Sequence, residues 1–111
     1  MSLTIEQLIK ESFETAHSKG WHDLNSTFGD RIALVHSELS EALEAFRDTN
    51  DVNKNWKRED GKPEGVASEL ADVLIRIFDM CGVYNIDLGS ALAEKMEFNR
   101  NRPWRHGNKA L

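Results

Sequence analysis

Apolar residues recur every three or four positions through most of the chain, and this spacing places them on one face of an α-helix. The pattern predicts a first helix over residues 4–19, with Thr4 and Gln7 as a capping box and Gly20 as the C-terminal stop. A second helix is predicted over residues 30–48. Its apolar face is formed by Ile32, Val35, Leu39, Ala42 and Phe46.

Two further helices are predicted in the second half of the chain. The third begins near Pro63 or Val66 and ends at Gly82, and its apolar surface is wide enough to contact two neighbours, so we expect it to be the most buried. The fourth starts after Asp87, a natural N-cap, and must end before Pro103. Residues 49–65 are polar and charged and are predicted to form a loop, which at this length often has a function.

The predicted elements define an all-α fold. No segment shows sustained period-two alternation, so a sheet is not required, and a four-helix bundle is the simplest architecture. The 111 residues are expected to form a single domain, 1–111, with a basic C-terminal tail from about residue 100. Because so short a chain has a thin core, we expect a homo-oligomer, either a dimer or a tetramer.

Composition narrows the classes of function. The net charge of −5 and the pI near 5.3 disfavour binding to nucleic acid, which depends on clustered Lys and Arg. No signal-like start or stretch of 18 apolar residues is present, so neither export nor membrane insertion is expected. The single cysteine, Cys81, excludes an intrachain disulfide and a cysteine-based metal site and fits a reducing cytoplasm.

Four acidic residues carry the candidate chemistry. Glu38 and Glu41 are three positions apart on the second predicted helix, and Glu69 and Asp72 have the same spacing on the third. Residues i and i+3 share a helix face, so two such helices packed antiparallel would bring four carboxylates together. Such a group needs cations or protons, and its oxygen ligands suit Mg²⁺ or Mn²⁺. The alternative is that both pairs belong to solvated surface ladders that Arg76 and Asp79 extend.

Two motifs resemble those of a known family. The segments HSELSEALEAFRD and ELADVLIRIFDM look like the two halves of the E-x-x-E and E-x-x-D signature of MazG-like all-α nucleotide pyrophosphohydrolases. The C-terminal segment KMEFNRNRPWRHGNK is similar to that family's K-x-x-x-N helix followed by an arginine and a His-Gly-x-Lys element. The similarity extends over about residues 21–109, and its specificity comes from the combination of motifs.

The resemblance implies a magnesium-dependent hydrolase, with manganese as a substitute, that cuts a nucleoside or deoxynucleoside triphosphate to a monophosphate and pyrophosphate. It makes Glu38, Glu41, Glu69 and Asp72 the metal ligands and catalytic residues. The family often has a third glutamate immediately before the first pair, where this chain has Ser37, so the number of metals per site is left open.

The resemblance also implies substrate contacts near the C-terminus. Candidates for binding the triphosphate or sugar are Lys95, Asn99, Arg102, His106 and Lys109, since guanidinium and ammonium groups bind phosphates on the side away from the metals.

Trp21, just after the first predicted helix, is a candidate for stacking on the base, the alternative being a core position.

Two other classes of function are alternatives to a nucleotide pyrophosphohydrolase. A di-iron carboxylate bundle needs Glu-x-x-His on two helices, and only Glu14 with His17 has that spacing. A non-catalytic helical interaction module would place the acidic stripes on the surface and use the tail to dock a partner. Saturable magnesium binding that depends on Glu38 or Asp72 separates the enzyme from the module.

Overall fold

The computed structural model describes residues 2–103, and these are mostly helical, as predicted. A 3₁₀-helix and a two-stranded antiparallel sheet accompany four α-helices. In chain order the elements are α1 (Ile5–Ser18), the 3₁₀-helix (Trp21–Leu24), α2 (Phe28–Thr49), β1 (Asn55–Lys57), β2 (Pro63–Gly65), α3 (Val66–Tyr84) and α4 (Leu88–Arg100).

Side-chain caps mark the start of α1, α2 and α4. The capping box predicted for α1 is present, because the Gln7 amide N–H donates to Thr4 Oγ1 and the Thr4 amide N–H donates to Gln7 Oε1. Helix α2 starts two residues earlier than predicted, since Thr27 and Asp30 form a second capping box. Asp87 caps α4 as predicted by accepting from the amide N–H of Ser90.

The segment predicted to be a loop contains a short β-hairpin. Trp56 pairs with Glu64, and the strands are joined through a turn in which Gly61 adopts a positive φ of 86°. Gly65 ends β2 with a φ of 121°, and a Cβ there would lie 2.5 Å from the backbone oxygen of Lys54. Three-residue strands are too short to produce the alternation by which strands are predicted, which explains the difference.

Helix α3 lies at the centre of the fold, with α1 and α2 packed against it. It contributes more buried residues than any other described helix, as predicted. The Gly82 backbone allows close approach of α1, because a Cβ there would lie 2.8 Å from Phe13 Cβ. Helix α4 packs against α1, and residues 90–100 are all exposed. Among residues 2–103, no helix has both the length and the apolar character needed to cross a bilayer.

Candidate metal centre and the adjoining cavity

Helices α2 and α3 run antiparallel, and this brings the two predicted acidic pairs together. The Arg76 guanidinium donates through Nε to Glu38 Oε1 at 2.8 Å, while Glu69, two turns earlier on α3, interacts with Glu41, one turn later on α2. Residue numbers therefore rise on one helix as their partners' numbers fall on the other. The antiparallel packing needed to bring the two acidic pairs together is therefore present.

Three of the four predicted ligands lie in one cluster. Carboxylate oxygens of Glu38, Glu41 and Glu69 lie within 4.8 Å of one another. Asp72 borders this group closely enough for the charge of Glu38 to raise the pKa of the Asp72 carboxyl. The cluster and Asp72 together form the acidic centre, and the structure thus brings all four predicted ligands to one place.

Glu69 is the most unusual member of the acidic centre. It is only 8% exposed, and it is a buried charged residue among otherwise apolar or small core residues. Its Oε2 atom is buried and has no hydrogen-bond partner among residues 2–103. An ionised carboxylate in such a position is costly unless a cation or proton balances its charge.

The electrostatics of the centre follow from this burial. Desolvation raises the pKa of Glu69, and the charges of Asp72 and Glu41 raise it further. The pKa of Asp72 is also raised, first by desolvation and then by Glu38. Both carboxyls therefore hold protons more tightly than in the unfolded chain, which is the behaviour of an acidic group that lacks its counterion.

Two basic residues that the sequence analysis did not assign to the site adjoin the acidic centre. Arg76 pairs with Glu38, with side chains 26% and 17% exposed. Lys62, in the hairpin, lies close enough to lower the pKa of Asp72, while Glu64 of β2 repels Glu69. Arg76 was visible in the sequence as one turn beyond Asp72. Lys62 and Glu64 lie in a segment without helical periodicity, so no pattern in the sequence placed them near the acidic residues.

The acidic centre fits a divalent cation of the magnesium type. Its donors are all carboxylate oxygens, which Mg²⁺ and Mn²⁺ prefer, and no histidine or cysteine of the described chain joins the group. The orphaned Oε2 of Glu69 supplies a buried acceptor for such an ion. Glu38, Glu41, Glu69 and Asp72 are the residues that would hold it.

A cavity of about 220 Å³ lies next to the acidic centre, since its lining includes Arg76, the residue that pairs with Glu38. Trp21 is 42% exposed at the cavity, so it is not a core residue, and the Arg76 guanidinium lies 5.0 Å from its ring centroid. Asp79 also lines the cavity, where its Oδ1 accepts a hydrogen bond from His22 Nε2 at 2.8 Å. The remaining lining residues are Leu24, Ser26, Arg31 and Leu34.

The other predicted substrate contacts do not join this site within one chain. Lys95, Asn99 and Arg102 are exposed on or just after α4, which packs mainly against α1. The Arg102 guanidinium instead lies 5.9 Å from the ring of Phe98. His106 and Lys109 lie outside the described residues.

Comparison of the chain with known protein families, with curated proteins and with solved structures found no match.

Proposed function

We propose that the protein is a magnesium-dependent nucleoside triphosphate pyrophosphohydrolase that releases a nucleoside monophosphate and pyrophosphate. The observation that carries the proposal is the buried Glu69 Oε2 atom, which has no hydrogen-bond partner among residues 2–103 and lies in a cluster of three glutamates bordered by Asp72. Burying a carboxylate among like charges destabilises the folded chain, so an acidic surface with only a structural role does not do so. A cation that binds the polyphosphate neutralises these charges and offsets the destabilisation.

Each part of the site has a role in this reaction. When bound by the acidic centre, magnesium neutralises phosphate charge and supplies Lewis-acid chemistry at the α-phosphorus. Glu41 is exposed, which leaves one of its carboxylate oxygens accessible to accept a proton from an attacking water. Arg76 and Lys62 border the centre as cations, where they contribute charge toward the phosphates.

The cavity beside the centre suits the nucleoside part of the substrate. Its 220 Å³ is smaller than the roughly 300–1,000 Å³ of pockets for drug-sized ligands, so it accommodates one heterocycle better than a whole nucleotide. Trp21 offers an aromatic face on which any base can stack. The base and sugar preference is not specified by these residues.

A homo-oligomer is part of the proposal. The radius of gyration is 16.6 Å, larger than the about 13 Å typical of a compact domain of about 100 residues. Large apolar side chains are exposed one turn apart on α2, at Leu39 and Leu43, and on α3, at Leu70 and Leu74. A second copy covering these residues would bury them.

The test is an assay of pyrophosphate release from a panel of nucleoside and deoxynucleoside triphosphates with magnesium present. We expect monophosphate and pyrophosphate as products when they are separated by chromatography. E38Q and E41Q should be inactive, and E44Q should retain activity because Glu44 is exposed and pairs with Arg47. Release of orthophosphate in place of pyrophosphate would contradict the reaction class.

A non-catalytic helical interaction module is the second candidate, and the exposed leucines of α2 and α3 favour it. Such a module would bind a partner through these leucines and have no need of a cation. Calorimetry with magnesium separates the two functions, because the enzyme requires saturable binding that E38Q weakens. A monomer in sedimentation at micromolar concentration would argue against the homo-oligomer and in favour of a different partner.

A further inference from the structure

Two histidines to which the proposed reaction assigns no role face each other. His17 lies in the last turn of α1 and His22 in the 3₁₀-helix, and their Nδ1 atoms are 3.3 Å apart. Phe13 supports both rings, with centroids 6.2 Å from His17 and 4.6 Å from His22. Packing against Phe13 therefore holds the two rings in place.

Asp79 of α3 determines which nitrogen of His22 is protonated. A carboxylate only accepts hydrogen bonds, so the His22 Nε2 atom, 2.8 Å from Asp79 Oδ1, carries a proton. In a neutral imidazole the other nitrogen then has a lone pair, and in His22 this atom is the Nδ1 that faces His17. The His22 and Asp79 side chains are only 14% and 13% exposed, so this arrangement is well shielded.

This is the arrangement found around histidines that bind metals. A ligating histidine commonly donates its second ring N–H to a carboxylate, which fixes its tautomer and its orientation. Two zinc–nitrogen bonds of about 2.0–2.1 Å meeting at the tetrahedral angle place their nitrogens about 3.3–3.4 Å apart. The observed separation of 3.3 Å agrees with that value.

We propose that His17 and His22 bind a transition-metal ion of the Zn²⁺ type through their Nδ1 atoms, with Asp79 orienting His22. Imidazole nitrogens favour zinc, copper and nickel over magnesium, so this site differs in chemistry from the acidic centre. No other described His, Cys, Asp or Glu completes a three-residue ligand group here, so water or a small anion fills the remaining positions. The same two nitrogens are also within hydrogen-bond distance of each other.

A metal at this site would help to hold one wall of the cavity in place. His22 directly follows Trp21, and Asp79 and Trp21 both line the cavity beside Arg76. A metal joining His17 to His22 therefore ties α1 to the 3₁₀-helix and holds the cavity wall against α3. It does so without contacting the acidic centre.

The test is calorimetric titration of the full chain with Zn²⁺ in millimolar Mg²⁺, which competes with zinc for the acidic centre. We expect one zinc ion per chain, and a loss of affinity of at least tenfold in H17A and in H22A. H36A is the matched control, because His36 is an exposed histidine on α2, and its zinc affinity should equal that of the wild type. Zinc should also raise the Tm of the wild type and leave that of H17A unchanged.

His17 is exposed, so H17A tests the proposal without endangering the fold. Wild-type zinc affinity in folded H17A would overturn the proposal and show that the two rings share only a hydrogen bond. Binding that is lost in E38Q and kept in H17A would also overturn it, since the zinc would then occupy the acidic centre. Neither result bears on pyrophosphate release, so the proposed function is judged separately.

Discussion

Helix α3 carries two little-exposed carboxylates, Glu69 and Asp79, whose surroundings are opposite. Asp79 is held by His22 at 2.8 Å, so its charge has a partner within the chain. Glu69, on the same helix, lies among Glu41, Asp72 and Glu64, and its Oε2 has no partner among residues 2–103. The two side chains show that a little-exposed carboxylate can lie beside a hydrogen-bond donor or among like charges. What distinguishes Glu69 is that the folded chain surrounds it with like charge.

Of the substitutions that test the contrast between Glu69 and Asp79, the largest expected effect is on activity. E69Q keeps the shape of the side chain and removes the ligand charge, so magnesium-dependent pyrophosphate release should fall at least about a hundredfold. D79N should retain magnesium affinity, because Asp79 pairs with His22 and is not part of the acidic centre. Both variants are measured by the pyrophosphate assay and by magnesium calorimetry. Equal loss of magnesium affinity in both would contradict the distinction between the two carboxylates.

The second effect is on stability. D79A removes the acceptor of the little-exposed His22 Nε2–H, so the free energy of unfolding should fall by about 1–3 kcal/mol. D79N is the matched control, because the amide oxygen of asparagine still accepts this hydrogen bond. Urea unfolding at constant pH measures both. A D79N variant as unstable as D79A would mean that the charge of Asp79, and not its acceptor, supports the fold.

A smaller effect is expected at the edge of the acidic centre. R76Q removes the guanidinium that binds Glu38 and competes with a cation for it, so magnesium affinity should rise about fivefold, roughly 1 kcal/mol. R47Q is the control, since Arg47 pairs with the exposed Glu44 on the same helix as Glu38. Calorimetry without nucleotide measures both. Weaker magnesium binding in R76Q would indicate that Arg76 positions Glu38 as a ligand.

The smallest effect concerns pH dependence without magnesium. Glu69 and Asp72 have folded-state pKa values above the ordinary 4.5 and 3.8, so the folded chain binds more protons than the unfolded chain in this range. Their contribution to stability is therefore favourable below these values and is lost as pH rises toward the raised pKa values. The stability of E69Q relative to the wild type should accordingly increase from pH 4 to pH 7 in the presence of a chelator.

The difference between E69Q and the wild type is the appropriate measure because other carboxyls act oppositely. The helix caps Asp30 and Asp87 have lowered pKa values, owing to hydrogen bonds from Thr27 and Ser90, so they add stability as pH rises. These contributions are the same in both proteins and cancel. A stability difference that does not change with pH would contradict the raised pKa of Glu69.

Local features were determined by the sequence alone. The four α-helices follow from spacing at three and four residues, and the caps at Thr4 and Asp87 were identified from residue type. The i, i+3 spacing of the acidic pairs also placed each pair on one helix face. These predictions succeeded because helix periodicity and capping depend on neighbours within a few residues of one another.

Contacts between distant residues were decided only by the tertiary structure. Glu69 and Glu41 are both glutamates in an E-x-x-E or E-x-x-D motif, yet packing buries the first and leaves the second exposed. The pairing of His22 with Asp79 joins residues 57 positions apart, and no local pattern predicts it. Burial and charge pairing depend on which helix faces meet, and the free energy of that packing is a sum over many side chains. The motif therefore identified the acidic residues, and only the fold determined their electrostatics.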